Sequence, residues 1–231
     1  MIDSKQKLKK LNIGSGPHGK PDWINLDWGI LPFLSKMPWI GNLILKLGLL
    51  PRDYPTVWQS RPKLRDCRKK LPFLTSSVDY IYTSHFLEHL YRYQAIKLLA
   101  ECKRVLHPGG ILRISVPDLK ILIEKHLKND LEFFKDQCGS KSDVFLEDIS
   151  DLFNQYFYGY DCWREPNLLH KLHRKFIRGH CWMWTYESLS NILREAGFTD
   201  IRNCQPGSGR VPDIDFLDIH RDSSLFVEAS F

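Results

Sequence analysis

The chain lacks paired cysteines, a leader-like apolar start and any long uninterrupted apolar run. Its six cysteines, Cys67, Cys102, Cys138, Cys162, Cys181 and Cys204, form no C-x-x-C pair, which removes the usual spacing of zinc ribbons and redox dithiols. They are expected as free thiols in a reducing compartment, packed as small hydrophobes. The start, MIDSKQKLKK, carries charge with no apolar segment behind it. No cleaved secretory signal is therefore expected, and the location is read as cytoplasmic. Repeats and low-complexity tracts are absent, which excludes solenoids and linker-rich chains. The apolar stretch 28–50 is broken by Pro32, Pro38, Gly41 and Gly48 and interrupted by Lys36 and Lys46, a poor transmembrane span.

What is present suits a globular protein. With 231 residues, 43% hydrophobic and 26% charged, the chain can bury a sizeable core. A net charge of +6 permits an anionic substrate, a nucleic acid or an acidic membrane surface and requires none of them.

Strand-like and helical runs alternate, which predicts an α/β fold on a mostly parallel sheet. Strands are expected at 10–13, 23–27, 63–66, 78–83, 111–116, 199–204 and 224–229. Ala95, Leu98, Leu99, Cys102, Val105 and Leu106 recur at helical spacing and are followed by Pro108, Gly109 and Gly110, which stop a helix. Thr185 is placed to cap a second helix with the stripe Leu189, Ile192, Leu193 and Ala196, closed by Gly197. Two segments interrupt the frame: an apolar one at 28–62, and an aromatic-rich helical one at 118–183 that includes Phe145 and Tyr160. Both are read as insertions in a single domain spanning 1–231.

In a parallel sheet, ligands bind outside the carboxyl ends of the strands. The first such loop holds Gly14, Gly16 and Gly19 in G-x-G-x-x-G spacing. Its glycines allow close approach, and its amides are expected to be open to an anion. A nicotinamide enzyme would need a full helix after the third glycine and an acid about 20 residues on. Here Pro21 and the early Asp27 leave room for a turn or so of helix. Gly19 is therefore read as a plain turn residue. Asp27 is suited to accept both hydroxyls of a ribose, and Asp66 an exocyclic amine such as that of adenine.

The series LNIGSG, NLDW, LRDCRKKLPFLTSSVDYIYTSHFLEHL, ECKRVLHPGGILRISVPDL, LREAGF and SLFVEAS resembles class I S-adenosylmethionine-dependent methyltransferases. It is more similar to those found among bacterial surface-polysaccharide genes than to nucleic-acid methylases. The resemblance covers nearly the whole chain, and the stretch from Leu71 to Leu119 is its most specific part. It implies a Rossmann-like seven-stranded sheet, mostly parallel with the last strand antiparallel. The cofactor implied is S-adenosylmethionine, and the product S-adenosylhomocysteine. Gly14, Ser15 and Gly16 would lie under the methionine part, Asp27 would hold the ribose and Trp28 would sit beside the adenine. Asp66 and the Cys67 amide would take the adenine edge, and Ser84 and His85 would border the sulfonium. One departure is plain: Lys9 and Lys10 stand where an acidic residue often opens the first strand.

For an acceptor hydroxyl that must lose its proton, His85 is the leading base because imidazole titrates near neutrality. Asp118, just past the fifth strand, is the second candidate. His180 in GHCWMW is a third, reaching in from the insertion, while Glu88 and His89 are read as a helix start. No metal is expected: His170, His173, His180 and Cys181 lack a convincing ligand spacing. Arg210, Asp213, Asp215, Asp218, His220 and Arg221 in the last loop are further candidates to touch a sugar-like acceptor. The expected reaction is O-methylation of a carbohydrate or glycolipid, with peripheral membrane contact through 28–50. Nucleic acid is not the expected partner, since TSHF replaces an N-P-P-Y-like motif. The alternatives are an RNA or protein methyltransferase of the same fold, or an inert cofactor- or partner-binding module.

Overall fold

The computed structural model describes residues 8–46, 57–138, 148–158 and 179–231. Seven strands form one sheet: β1 (Lys10–Ile13), β2 (Ile24–Asp27), β3 (Lys63–Leu64), β4 (Val78–Ser84), β5 (Leu106–Pro117), β6 (Asp200–Cys204) and β7 (Ser224–Ser230). Their order is β3-β2-β1-β4-β5-β7-β6. Neighbours are parallel except that β7 runs antiparallel to both β5 and β6. This is the Rossmann-like methyltransferase sheet expected from the sequence.

Two boundaries differ from expectation. β3 is two residues long, which leaves Asp66 in the loop beyond it. β5 begins at Leu106, before the Pro108-Gly109-Gly110 punctuation, because the backbone turns extended there and pairs with Val78. A register irregularity between Val78 and Tyr80 absorbs the extra residues.

The helices are α1 (Ile30–Leu34), α2 (Pro38–Lys46), α3 (Arg92–Val105), α4 (Leu119–Leu127), α5 (Leu131–Cys138), α6 (Ile149–Tyr158), α7 (Tyr186–Glu195) and α8 (Ile214–Leu217). α3 and α7 cover one face of the sheet. Leu98, Leu99, Cys102, Leu189, Ile192 and Leu193 pack there against Leu11, Ile13, Ile81, Leu112, Ile114 and Val227. Each such side chain contributes about 1.5–3 kcal/mol of burial. Thr185 accepts from the Ser188 amide and Ser188 bonds back to the Thr185 amide, a reciprocal cap that starts α7.

The opposite face is built differently. The first crossover is only a 3-10 turn, Gly16–His18, so no helix lies over β1 there. The loop that follows β6 covers that face instead, with Val211 and Leu217 packed on Trp23, Tyr82 and Ile111. Arg113 of β5 is fully buried beneath it, paired with Asp218 and Glu228.

The second insertion leaves the sheet at Asp118 and returns at Trp184, where the two bridge and the Leu119 amide donates to the Trp184 carbonyl. Within it Leu122, Phe134, Leu152, Tyr156 and Met183 form a small core. Among the described residues no helix is long and apolar enough to cross a membrane. Cys67, Cys102, Cys181 and Cys204 are free. His170, His173, Phe145, Tyr160, Cys162 and the side chain of Cys138 lie outside the described residues.

Candidate functional site

Register brings the site together. Ile13 pairs with Leu26 on one side and Thr83 on the other, and Ser84 pairs with Ser115. Gly14, Asp27 and His85 therefore emerge at one edge of the sheet. A pocket of about 310 Å³ opens there, walled by Gly14–His18, Ser84, His85, Tyr82, His220 and, from α8, Phe216 and Leu217. That volume is at the small end of ligand sites.

Gly14 has φ +67, and a Cβ on it would stand 2.5 Å from the Phe86 ring, so only glycine fits. Contrary to the sequence reading, the loop amides are not open to an anion. Those of Gly14 and Ser15 donate to the Leu26 carbonyl, and that of Gly16 donates to Asp27 Oδ2 at 2.8 Å. The loop is thus a poor pyrophosphate cradle and a suitable floor for a neutral nucleoside or a cation. Gly19 is also more than a turn residue. It is extended, and a Cβ on it would stand 2.6 Å from Asn25 Oδ1 and from Ser60 Oγ.

Asp27 takes one amide on each carboxylate oxygen, the second from Trp28 at 2.7 Å. Its pKa is raised: burial favours the neutral form more than the Gly16 and Trp28 amides favour the charge. Trp28 is exposed beside it, with its indole face open. Asp27 and Trp28 stand at the rim next to Gly16 rather than within the walls. Asp66 is held by its own neighbour, Arg68, in a two-pronged ion pair that lowers its pKa. The Cys67 thiol is buried in the core, which pushes it up to about 12.

His85 has φ +47, a left-handed backbone uncommon for a residue with a side chain. Three contacts hold it there. Its amide donates to the Ser115 carbonyl, Nδ1 lies 3.3 Å from Glu88 Oε1, and Nε2 lies 2.9 Å from Ser224 Oγ. A carboxylate at Nδ1 keeps the proton on that nitrogen and makes Nε2 the acceptor, here of the Ser224 hydroxyl. The His220 ring meets His85 edge-on at 4.7 Å between centroids. Burial, with His85 and His18 adding to it, pushes His220 down to about 4, so it is neutral near pH 7.

Glu88, read from sequence as part of a helix start, is wholly buried on a 3-10 turn behind His85. Burial opposes its charge, yet its pKa is lowered because His85, His89 and His180 surround it. His180 lies beside His89, ring centroids 5.0 Å apart, and burial pushes it down to about 4. His180 is not among the residues walling the pocket. Asp118 lies elsewhere: it caps α4, accepting from the Lys120 amide at 2.9 Å, and burial raises its pKa.

Of the last loop, only His220 among the six polar candidates reaches the pocket. Arg210 pairs with Glu228 and Asp200, Asp213 with Lys10 and Lys20, Asp218 with Arg113, and Arg221 with Asp215. Asn12, His18, Tyr82 and Phe216 wall the pocket without having been anticipated. For Asn12 and Tyr82 a signal existed: each alternates with a core residue on its strand and so faces the other way.

The adenosine cofactor of this fold fits these residues. A paired but still accepting carboxylate, an exposed indole, a glycine floor whose amides are bonded within the chain and a buried Ser15 hydroxyl without a partner among the described residues suit a sulfonium nucleoside.

None of the curated proteins compared with the chain matches it. Solved structures resembling it include the S-adenosylmethionine-dependent methyltransferase SibL in its apo form, at 17% identity and TM-score 0.45, covering 100% of this chain and 52% of that one. A SAM-dependent methyltransferase from Archaeoglobus fulgidus shows 14% identity and TM-score 0.45, with 98% and 87% covered. PigF with SAH shows 14% identity and TM-score 0.45, with 99% and 58% covered. The chain thus spans about half the length of SibL. Residues 59–114 match the methyltransferase domain family. That segment supplies β3, β4 with Ser84 and His85, the turn of Glu88 and His89, and α3. The chain therefore carries a segment that matches the methyltransferase domain, set in the sheet order β3-β2-β1-β4-β5-β7-β6.

Proposed function

We propose that the methyl group of S-adenosylmethionine is moved by this chain to a hydroxyl oxygen of a carbohydrate or glycolipid. The observation that carries the reading is His85, an imidazole held at the pocket wall with Nδ1 against a buried carboxylate and Nε2 turned to Ser224 Oγ. Such a dyad suits removal of a hydroxyl proton, which methylation of an already nucleophilic amine does not need. Bound at the glycine floor, S-adenosylmethionine supplies an electrophilic methyl on its sulfur. The chain's own residues do the rest. Asp27 accepts from the ribose, Trp28 covers the base, His85 Nε2 receives the acceptor proton, and Tyr82 and the residues of α8 exclude water. Positioning supplies much of the rate in such an in-line displacement.

A lipid-linked acceptor is supported by the first insertion. Trp28, Phe33, Trp39 and Leu43 are exposed there, Lys36 and Lys46 lie among them, and no acidic residue occurs from 28 to 46. That composition suits an anionic bilayer surface. The test supplies methyl-labelled cofactor with free glycan, with glycolipid in anionic vesicles, or with RNA. Label in glycan, faster from vesicles, is expected. Label in RNA alone would overturn the acceptor class, and equal rates on free and vesicle-borne glycan would overturn the membrane contact.

A further inference from the structure

The methyl-transfer reading uses Glu88 only through its Oε1, which faces His85, and leaves its Oε2 and the neighbouring His89 and His180 without a role. Glu88 is fully buried, and among the described residues the groups acting most on its charge are His85, His89 and His180. Among the described residues Oε2 has no hydrogen-bond partner, and Oε1 has only the 3.3 Å approach of His85 Nδ1. A buried carboxylate without full partners is costly unless a cation completes it.

The two other histidines are oriented for such a cation. His89 Nδ1 lies 3.2 Å from the Gly179 carbonyl, so that nitrogen carries the proton and Nε2 keeps its lone pair. His180 has the opposite arrangement. Among the described residues its Nδ1 is buried with no hydrogen-bond partner, and the Phe157 backbone lies beside the ring. His89 thus donates one N–H to a backbone carbonyl, the arrangement that orients metal-bound imidazoles, and His180 leaves its Nδ1 unused. One donor atom from each of Glu88, His89 and His180 lies within 4.8 Å of the other two. Donors about 2.1 Å from a tetrahedral ion stand about 3.4 Å apart, so closing on it shortens the donor separations by up to about 1.4 Å.

We propose that Glu88, His89 and His180 bind a divalent cation of the zinc type, joining the second insertion to the turn behind His85. Two imidazoles and one carboxylate are a zinc donor set with a fourth position left open. The backbone already holds the two segments together, since the amides of Cys181 and Trp182 both donate to the Glu88 carbonyl. The ion adds a side-chain staple at the same junction and fixes the carboxylate that faces His85. The site combines a sequence-adjacent Glu-His pair with a histidine far along the chain. The spacing of His170, His173, His180 and Cys181 gave no hint of it.

The test needs no methyl acceptor and does not depend on the methyl-transfer reading. Full-length protein is stripped with a chelator and titrated with Zn²⁺ against a chromophoric competitor, and with Co²⁺ for its visible ligand-field bands. His89→Gln, His180→Gln and Glu88→Gln are compared with wild type, and His126→Ala serves as a control on a half-buried histidine away from the proposed site. Circular dichroism establishes that each variant is folded. The expected result is one tight equivalent in wild type and in the control, missing from His89→Gln and His180→Gln. In wild type and the control, and not in the two histidine variants, zinc at 100 times its Kd should raise Tm by roughly 5–10 °C. Should Glu88→Gln fail to fold, the two histidine variants decide. No tight equivalent in wild type, or its retention in either histidine variant, would overturn the proposal.

Discussion

His85 concentrates the chemistry of the site in one residue, and its backbone shows how strongly the surroundings fix it. A left-handed conformation at φ +47 persists because Ser115, Glu88 and Ser224 each hold a different atom of the residue. His85→Ala is expected to lower kcat about 10²–10⁴-fold while leaving the affinity for S-adenosylhomocysteine nearly unchanged. Steady-state rates beside calorimetric binding check this, and a loss of less than tenfold in kcat would remove the base assignment. His85 was legible because a histidine at the end of a recognisable strand points to the ligand edge. Glu88 was not legible. Its burial depends on a 3-10 turn and on the return of the insertion some ninety residues later, as in the pairing of His89 with Gly179.

At the scale of elements, the short first crossover determines how the rest is arranged. With only a turn between β1 and β2, the loop after β6 folds over the uncovered face and is pinned by charge. Asp213 is the main tether, bonded to Lys10, Lys20 and the Trp23 indole. Burial opposes its ionisation, but the bonds from Lys20, Lys10 and Trp23 outweigh it and hold its carboxyl well below the usual range. A depressed carboxylate stabilises the fold above its unfolded pKa of about 3.9 and loses that contribution as pH falls further. Asp213→Asn, which keeps tolerance for the left-handed backbone at φ +64, is therefore expected to be less stable than wild type at pH 7. The gap should narrow as pH falls below about 3.9. Urea midpoints across that range measure it, and a gap independent of pH would contradict the tether. The sequence reading gave these loop charges to an acceptor because a polar loop at the ligand edge invites that reading. Their partners Lys10, Lys20 and Arg113 lie 105 to 203 residues away in the chain, a separation that composition and spacing do not reveal.

For the whole molecule, the α/β class and the position of the ligand edge could be read from alternation, glycine punctuation and the short gap before Asp27, while the seven-stranded sheet with its antiparallel last strand came from the family resemblance. What could not be read is which polar groups of that edge are already used. The amides of Gly14, Ser15 and Gly16 are bonded within the chain, and Asp66 is taken by Arg68. Those bonds turn an apparent anion loop into a floor for a neutral or cationic ligand. The most direct measurement of the central claim is a calorimetric titration of S-adenosylhomocysteine and NAD into wild type and Asp27→Ala. S-adenosylhomocysteine should bind wild type with one site per chain, weaken at least tenfold in Asp27→Ala, and leave NAD without effect. The tenfold figure is the loss of about 1.4 kcal/mol, at the low end for hydrogen bonds to a charged group. No binding of S-adenosylhomocysteine to wild type, or equal binding by Asp27→Ala, would contradict the account.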